Sequence, residues 1–160
     1  MSVDVIKPPT PFGDLPEDRP VIFLAGSIEM GKAEPWQDEV IESLTAYNAV
    51  LLNPRRDDWD ASWEQDISNV EFRGQVEWEL SGLERADFVI MYFAAGTKSP
   101  ITLLELGLCA RTSDLIVCCP SGFWRRGNVQ VVCSRFNIEL VDTLEDLISS
   151  VRERVDAFFE

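Results

Sequence analysis

The sequence predicts an α/β fold in which helices cover both faces of a parallel β-sheet. Short apolar runs alternate with amphipathic segments along the chain, which is the pattern of repeated βαβ units. The apolar runs show no polar alternation, as expected of strands buried on both faces. The chain has 160 residues, enough for one domain with a sizeable core. We predict a Pro-rich N-terminal arm over residues 1–20, which hold five of the nine prolines, and a single α/β domain over residues 21–160.

Five brief runs rich in β-branched or aromatic residues are the predicted strands: Val21–Ala25, Ala49–Asn53, Phe88–Phe93, Asp114–Cys119 and Asn137–Val141. The first helix starts near Pro35, a favourable first-turn residue, the third starts at Ser99-Pro100, and the last starts at Thr143. The second and fourth helices are predicted from about Phe72 to Arg85 and over roughly Asn128–Phe136. This alternation predicts a doubly wound, flavodoxin-like or Rossmann-like sheet with strand order 2-1-3-4-5. Its ligand cleft opens where strands 1 and 3 diverge.

The composition excludes several classes of function. The net charge of −14 disfavours partners such as nucleic-acid polymers or anionic membranes. The absence of histidine excludes Ser-His-Asp and Cys-His catalysis and His-ligated zinc. The four cysteines form no C-x-x-C pair and are interpreted as reduced core thiols. Neither a signal peptide nor a membrane-spanning run is recognised, so we expect a cytoplasmic protein that needs no metal and no cofactor.

The loop after the first predicted strand is similar to a phosphate-binding P-loop. The run Gly26–Lys32 matches G-x-x-x-x-G-K, but Ala33 stands where Ser or Thr would ligate magnesium, which disfavours an NTPase. Gly26 and Ser27 are candidates for binding a ligand oxygen through backbone N–H groups and the serine hydroxyl. For Gly26 alone, a tight strand-to-helix turn is an equally good interpretation.

The loop after the second predicted strand carries Arg55, Arg56, Asp58 and Trp59, with Trp63 nearby. Arginines beside aspartates are typical of a solvated salt-bridge cluster, whereas aromatic side chains at a cleft edge can stack on a flat heterocycle. We interpret one of the two arginines as structural and place Asp58 and Trp59 near the ligand.

Glu105 is the one charged residue in the apolar helical stretch 99–108. An ionised carboxylate among leucines must be paired or solvated in a cleft, which makes Glu105 a candidate reacting group. On the preceding helix Glu77 and Glu79 lie on different faces, so only one of them reaches the cleft, and Glu79 is the candidate partner of Glu105. Two carboxylates at one cleft favour glycosyl chemistry. The helix dipole favours an ionised nucleophile at Glu105, and burial beside a like charge raises the pKa of an acid at Glu79.

These residues resemble motifs of the nucleoside 2-deoxyribosyltransferase family and of its relatives, the deoxynucleoside 5′-monophosphate N-glycosidases. The similar segments, within roughly residues 21–140, are Ile22–Ile28, Glu79-Leu80-Ser81-Gly82 and Glu105-Leu106-Gly107. The resemblance implies metal-free cleavage of a 2′-deoxyribosyl N-glycosidic bond through a glycosyl-Glu105 intermediate, with Glu79 as acid/base. It also implies that Ser99 binds the sugar 5′ end and that Asn128 assists the active site of a neighbouring subunit in a homo-oligomer.

The chain departs from the family pattern at three positions. Glu79 replaces the usual Asp, and Ile22-Phe23 replaces a tyrosine of the first strand, which leaves open the group that orients Glu105. Ser99 stands where the transferases commonly have Asp, whereas the nucleotide hydrolases have serines there and at the position of Ser27. The leading hypothesis is a 2-deoxyribosyltransferase acting on deoxynucleosides and nucleobases. The alternatives are a deoxynucleoside 5′-monophosphate hydrolase and a noncatalytic nucleotide-binding module.

Overall fold

Parallel strands form the single sheet of the computed structural model, which describes residues 2–28 and 33–160. Within these ranges there are six strands: β1 (Asp4–Ile6), β2 (Val21–Gly26), β3 (Val50–Leu52), β4 (Phe88–Tyr92), β5 (Leu115–Cys118) and β6 (Glu139–Val141). The same ranges contain five helices: α1 (Trp36–Ser43), α2 (Val70–Arg85), α3 (Pro100–Cys109), α4 (Arg126–Arg135) and α5 (Leu144–Phe158).

The strand order is β1-β3-β2-β4-β5-β6, and every neighbouring pair is parallel. The five predicted strands are β2 to β6, and their order confirms the predicted 2-1-3-4-5 arrangement. The sixth strand, β1, lies in the predicted N-terminal arm and adds to the sheet beside β3. Sequence patterning missed β1 because it is a short edge strand with two exposed residues, defined by its pairing with β3 rather than by a hydrophobic period.

The sheet separates two hydrophobic layers. Leu and Val residues of α1 and α5 pack on one face, together with the buried Trp36. Helices α2, α3 and α4 pack on the other face, against alternate residues of the same strands. The four cysteines are buried free thiols. In the described ranges, no helix is long and apolar enough to cross a membrane.

The helix boundaries follow the local sequence closely. Helix α2 begins two residues before the predicted Phe72, because the Asn69 side chain accepts a hydrogen bond from the backbone N–H of Phe72 at 2.9 Å and caps the helix. Thr143 caps α5 in the same way, through the N–H of Asp146. Helix α4 also begins two residues earlier than predicted, at Arg126.

The segment after β1 packs along α2. Trp78 Nε1 donates to the carbonyl oxygen of Thr10 at 2.8 Å, and the Phe12 ring centroid lies 4.8 Å from that of Trp78. Gly82, one turn further along α2, makes this packing possible: a Cβ atom there would lie 2.6 Å from the Phe23 ring and 3.3 Å from Phe12. The position therefore requires the absence of a side chain.

We expect Gly82→Ala to destabilise the fold by about 1–3 kcal/mol, because the added methyl group must displace the buried Phe23 ring. Gly74→Ala on the same helix is the matched control, since a Cβ at Gly74 meets nothing within 4 Å. There the gain in helix propensity is expected to stabilise the protein by up to about 1 kcal/mol. Denaturant unfolding measures both effects, and equal changes for the two variants would contradict the proposed packing constraint.

Candidate functional site

The carboxyl ends of β2 and β4 define the candidate site. The two strands are neighbours in register from Ile22–Phe88 to Gly26–Tyr92, and the helices that follow them cover opposite faces of the sheet. In a doubly wound sheet this is the point where a cleft opens. At Gly26 a Cβ atom would lie 2.5 Å from the Trp36 ring and 2.6 Å from the Tyr92 carbonyl oxygen, so close packing explains this glycine.

Three hydroxyl groups meet at this edge. Ser27 and Ser99 are 1% and 4% exposed, and their Oγ atoms are in direct contact. Thr97 Oγ1 lies 3.1 Å from Ser27 Oγ and 2.8 Å from Ser99 Oγ. Ser27 Oγ also accepts from the N–H of Ala94 at 2.9 Å. The structure thus brings together Ser27 and Ser99, two predicted binding residues, in one hydroxyl cluster that ties the loop after β4 to the end of β2.

Ser99 has a left-handed backbone conformation, with φ of 44°, directly before α3 begins at Pro100. Such a conformation is uncommon for a residue with a side chain and costs on the order of 1–3 kcal/mol. The buried hydrogen bonds of the Ser99 hydroxyl offset that cost, and the sharp turn directs α3 along the cleft.

Glu105 is 7% exposed in the second turn of α3, and Glu79 is half-buried on α2. Burial raises the pKa of Glu79 to about 7, although a hydrogen bond from Gln75 partly opposes this shift. Burial, with a smaller contribution from the Glu79 charge, raises the pKa of Glu105 to about 8. The Glu79 charge thus acts on Glu105, and both carboxyl groups hold a proton to a higher pH than an ordinary glutamate.

The expectation that Glu105 alone is ionised differs from this result. The helix dipole is worth at most about 2 kcal/mol, and less beyond the first turn, whereas burial disfavours the charged form more strongly. Sequence position showed that Glu105 is near a helix start but not how completely the surrounding side chains cover it. The pKa of Glu105 is raised further than that of Glu79, so the proton is favoured on Glu105, the reverse of the order expected for a nucleophile and an acid.

The loop after β3 is held by its arginines. Arg55 donates to the carbonyl oxygens of Ala33 and Glu34 at 2.6 and 2.9 Å. Arg56 donates to Asp58 at 2.9 Å and lies over the Trp63 ring, with 4.9 Å from Cζ to the ring centroid. Both arginines thus have structural contacts, where one was expected.

Asp58 and Trp59 differ in their surroundings. Asp58 is exposed, and its hydrogen bond from Arg56 lowers the pKa of the carboxyl group. Trp59 is half-buried, and its ring centroid lies 5.1 Å from that of Trp63. Of the two predicted binding residues in this loop, Trp59 is the one that lies partly within the fold.

Several polar residues near this edge carry buried atoms that have no hydrogen-bond partner among residues 2–28 and 33–160, and sequence reasoning missed most of them. These atoms are Gln37 Nε2, Asn53 Nδ2, Trp59 Nε1 and Gln75 Oε1. A single amide or indole side chain adds neither hydrophobic periodicity nor charge to a sequence, so sequence patterns do not mark it as part of a site. Only Asn53, at the end of a predicted strand, stands at a position where a site residue is expected. Unpaired buried polar atoms are uncommon in folded proteins, so each of these atoms is a candidate to bind water or a polar ligand.

Tyr92, at the end of β4, is a second feature that sequence reasoning missed. Its hydroxyl donates to Glu34 Oε1 at 2.6 Å, and burial together with Glu34 raises the pKa of the phenol. Tyr92 thereby joins the sheet edge to the start of α1. Residues 29–32 of the P-loop-like motif lie outside the described residues.

Asn128 is exposed in the first turn of α4, which packs on β6, two strands away from β4. Within a single chain the structure does not bring it to the carboxyl pair. In the described residues, no group of three or more His, Cys, Asp or Glu side chains is placed to hold a metal ion.

Comparison with known proteins identifies related sequences and folds. The family model described as "Nucleoside 2-deoxyribosyltransferase like" matches residues 19–123, which include both carboxyl groups and the hydroxyl cluster but not Asn128. No curated protein matches the chain. The crystal structure of a conserved protein from Enterococcus faecalis V583 has a TM-score of 0.61 and 12% identity, and the alignment covers 85% of this chain and 99% of that one. At this identity the likeness concerns the fold.

We expect Glu105→Gln to stabilise the protein near pH 8 by up to about 5 kcal/mol, since each unit of pKa shift corresponds to about 1.4 kcal/mol and the pKa rises from 4.5 to about 8. The folded state raises the pKa of Glu105 from 4.5 to about 8, so in this window it holds a proton that the unfolded chain has released. Stability therefore falls as the pH rises from about 4.5 to about 8, and the neutral amide removes this loss. Melting temperatures of the wild type and of Glu105→Gln, measured between pH 5 and 8, test this prediction.

Glu77→Gln is the control for this experiment, because Glu77 is exposed beside Arg73 on the outer side of α2. Its melting temperatures are expected to follow those of the wild type across the pH range. An identical pH dependence for Glu105→Gln would contradict the burial of an ionisable carboxyl group at position 105.

Proposed function

The chain belongs to the nucleoside 2-deoxyribosyltransferase-like family, and we propose that it transfers 2-deoxyribose from a deoxynucleoside to another nucleobase. Family membership indicates an enzyme of the glycosyltransferase or glycosidase type. The observation that carries the specific proposal is the burial of Glu105 on α3, where burial and the Glu79 charge raise the pKa of its carboxyl group. Two carboxyl groups of this kind can supply a nucleophile and an acid without histidine, as glycosyl transfer with retention requires.

In the first half-reaction, one carboxylate oxygen of Glu105 attacks C1′ of the deoxyribose. The bond between C1′ and the nucleobase nitrogen breaks, and its electron pair stays with the base. Glu79 supplies the proton that neutralises the departing base. The products are a deoxyribosyl ester of Glu105, a free nucleobase and the Glu79 carboxylate.

In the second half-reaction, a nitrogen of an incoming nucleobase attacks C1′ of the ester. The bond between C1′ and Glu105 breaks, its electron pair returns to the carboxylate, and Glu79 accepts the proton that the incoming base loses. The pair thus holds one proton at both ends of the cycle. The raised pKa of Glu79 supports its role as the acid, whereas Glu105, whose pKa is raised further, must be ionised before it attacks.

The hydroxyl cluster of Ser27, Thr97 and Ser99 is proposed to face the 5′ end of the sugar. It offers uncharged oxygen atoms, which accommodate either a 5′-hydroxyl or a 5′-phosphate. Because the cluster has no carboxylate that would repel a phosphate, it supports a second candidate function, the hydrolysis of deoxynucleoside 5′-monophosphates. In that reaction water replaces the incoming base. A site that keeps the cleft without turnover would be a nucleotide-binding module.

The nucleobase is proposed to lie between Glu79 and the loop after β3. Trp59 is half-buried with an unpaired Nε1 and offers a flat surface there. Asp58, whose carboxylate already binds Arg56, is proposed to line the outer rim. The four buried free thiols fit a reducing compartment, and a cytoplasmic role in nucleotide salvage is part of the proposal.

The outer side of α3 supports assembly with a second copy of the chain. Ile101, Leu104 and Leu108 lie along one side of this helix and are 57%, 60% and 53% exposed. On the adjacent α4, Val131 is 69% exposed. We propose that another subunit covers this apolar stripe, which would also place Asn128 of α4 close to a neighbouring active site.

We expect Glu105→Gln to abolish base exchange and Glu79→Gln to lower kcat/KM by roughly 10²- to 10⁴-fold, the range for loss of a positioned acid. The assay incubates a deoxynucleoside with a different free nucleobase and follows both products by chromatography. Glu77→Gln, exposed and paired with Arg73, is the matched control and is expected to keep wild-type activity.

The product pattern distinguishes the three candidates. Transfer in excess of hydrolysis supports the transferase, and free deoxyribose 5-phosphate formed only from 5′-monophosphates supports the hydrolase. Absence of turnover on both deoxynucleosides and their 5′-monophosphates supports the noncatalytic nucleotide-binding module. Full activity of Glu105→Gln would contradict the covalent mechanism in either enzyme.

We expect the wild type to sediment as a dimer or larger assembly and Leu104→Glu to shift it toward the monomer, because a charge in the apolar stripe is costly to bury. Ile67→Glu is the control, since Ile67 is 71% exposed in the loop before α2 and outside the stripe. Sedimentation velocity measures the mass of each protein. A monomeric wild type would contradict the proposed interface.

A further inference from the structure

Gln75 ends in a buried amide whose oxygen is unpaired. The residue is 5% exposed and lies one turn before Glu79 on α2. Its Nε2 donates to the carbonyl oxygen of Pro54 at 2.9 Å and to Glu79 Oε1 at 3.3 Å. Its Oε1 is buried and accepts no hydrogen bond from the described part of the chain. A buried acceptor without a donor is unfavourable, so the position is suited to a donor that the described residues do not supply.

The orientation of this amide is determined by its neighbours. A 180° rotation would place Oε1 against the Pro54 carbonyl oxygen, and two acceptors would then meet at hydrogen-bond distance. Both Nε2 hydrogens are used by Pro54 and Glu79 in the observed orientation. The oxygen therefore remains available to a ligand beside the Glu79 carboxyl group.

A cavity of about 360 Å³ adjoins Gln75 and is lined also by Pro8, Arg56 and Trp78. Glu79 does not line this cavity; it contacts Gln75 one helical turn further on, through the hydrogen bond from Gln75 Nε2. Asn53, which directly precedes Pro54, carries a further unpaired buried atom, Nδ2.

We propose that Gln75 selects the leaving nucleobase by accepting a hydrogen bond from an N–H group next to the atom that Glu79 protonates. This inference rests on the proposed deoxyribosyl transfer. Because Glu79 Oε1 already accepts from Gln75, the acidic proton of Glu79 is carried by its other oxygen. Glu79 and Gln75 together therefore present one donor and one acceptor to the base.

This arrangement distinguishes between otherwise similar bases. A purine leaves after protonation at N7, where adenine has the donor amino group beside it and hypoxanthine or guanine has the acceptor O6. A pyrimidine is protonated at O2, where uracil and thymine have the donor N3–H beside it and cytosine has an unprotonated N3 acceptor. Gln75 Oε1 can therefore accept a hydrogen bond from adenine, uracil or thymine. In hypoxanthine, guanine and cytosine it would face another acceptor.

The test compares kcat/KM for deoxyadenosine with deoxyinosine and for deoxyuridine with deoxycytidine. We expect the wild type to prefer the first member of each pair by roughly 10- to 100-fold, because the second member leaves two acceptors opposed. In Gln75→Met, which removes the acceptor but keeps the side-chain length, both ratios are expected to approach one. Gln130→Met, the same change at an exposed position on α4, is expected to leave both ratios at their wild-type values.

A purely structural role of Gln75 predicts a different outcome, in which Gln75→Met lowers kcat/KM equally for both members of each pair. That result, or a wild type without the stated preferences, overturns the inference while leaving the proposed transfer intact. The wild-type ratios test the inference even if the variant does not fold. Absence of turnover on all four nucleosides would instead overturn the proposed transfer, and the inference with it.

Discussion

The parallel pairing of β2 with β4 is the constraint on which the site depends. At one end of the pair the backbone and carboxylate of Asp87 both bind the backbone of Val21. At the other end the N–H of Ser27 donates to the Tyr92 carbonyl oxygen at 3.0 Å. With both ends anchored and the following helices on opposite faces, the cleft forms at the carboxyl edge. The hydroxyl cluster and the start of α3 then follow from where β4 ends.

The burial of two carboxyl groups beside this edge is costly to the fold. A buried charge without a partner is strongly unfavourable, and burial accordingly raises the pKa of both carboxyl groups. The proposed glycosyl transfer needs a proton on one of them for its leaving group. Stability and the proposed chemistry are therefore opposed in their pH dependence: the ionisation that forms the nucleophile also weakens the fold.

The N-terminal segment contributes to the site through α2. Thr10 and Phe12 contact Trp78, and Gly82 lets the helix approach Phe23 closely. Gln75 and Glu79 belong to the same helix, which this packing holds against the sheet. The segment predicted as an extended N-terminal arm thus adds a strand to the sheet and contacts α2.

The sequence by itself determined the strand order, the helix positions and the candidacy of Glu105, because hydrophobic period and an isolated charge are local signals. Only the tertiary structure decided that β1 joins the sheet, that Glu79 and Glu105 share their electrostatic environment, and that the Gln75 amide keeps an unpaired oxygen. These properties depend on the distances between side chains from segments far apart in the chain, and on how completely those segments bury each side chain. The Gln75 amide is uncharged and belongs to no hydrophobic repeat, so its hydrogen-bonding capacity can be assessed only when its neighbours in the folded chain are known.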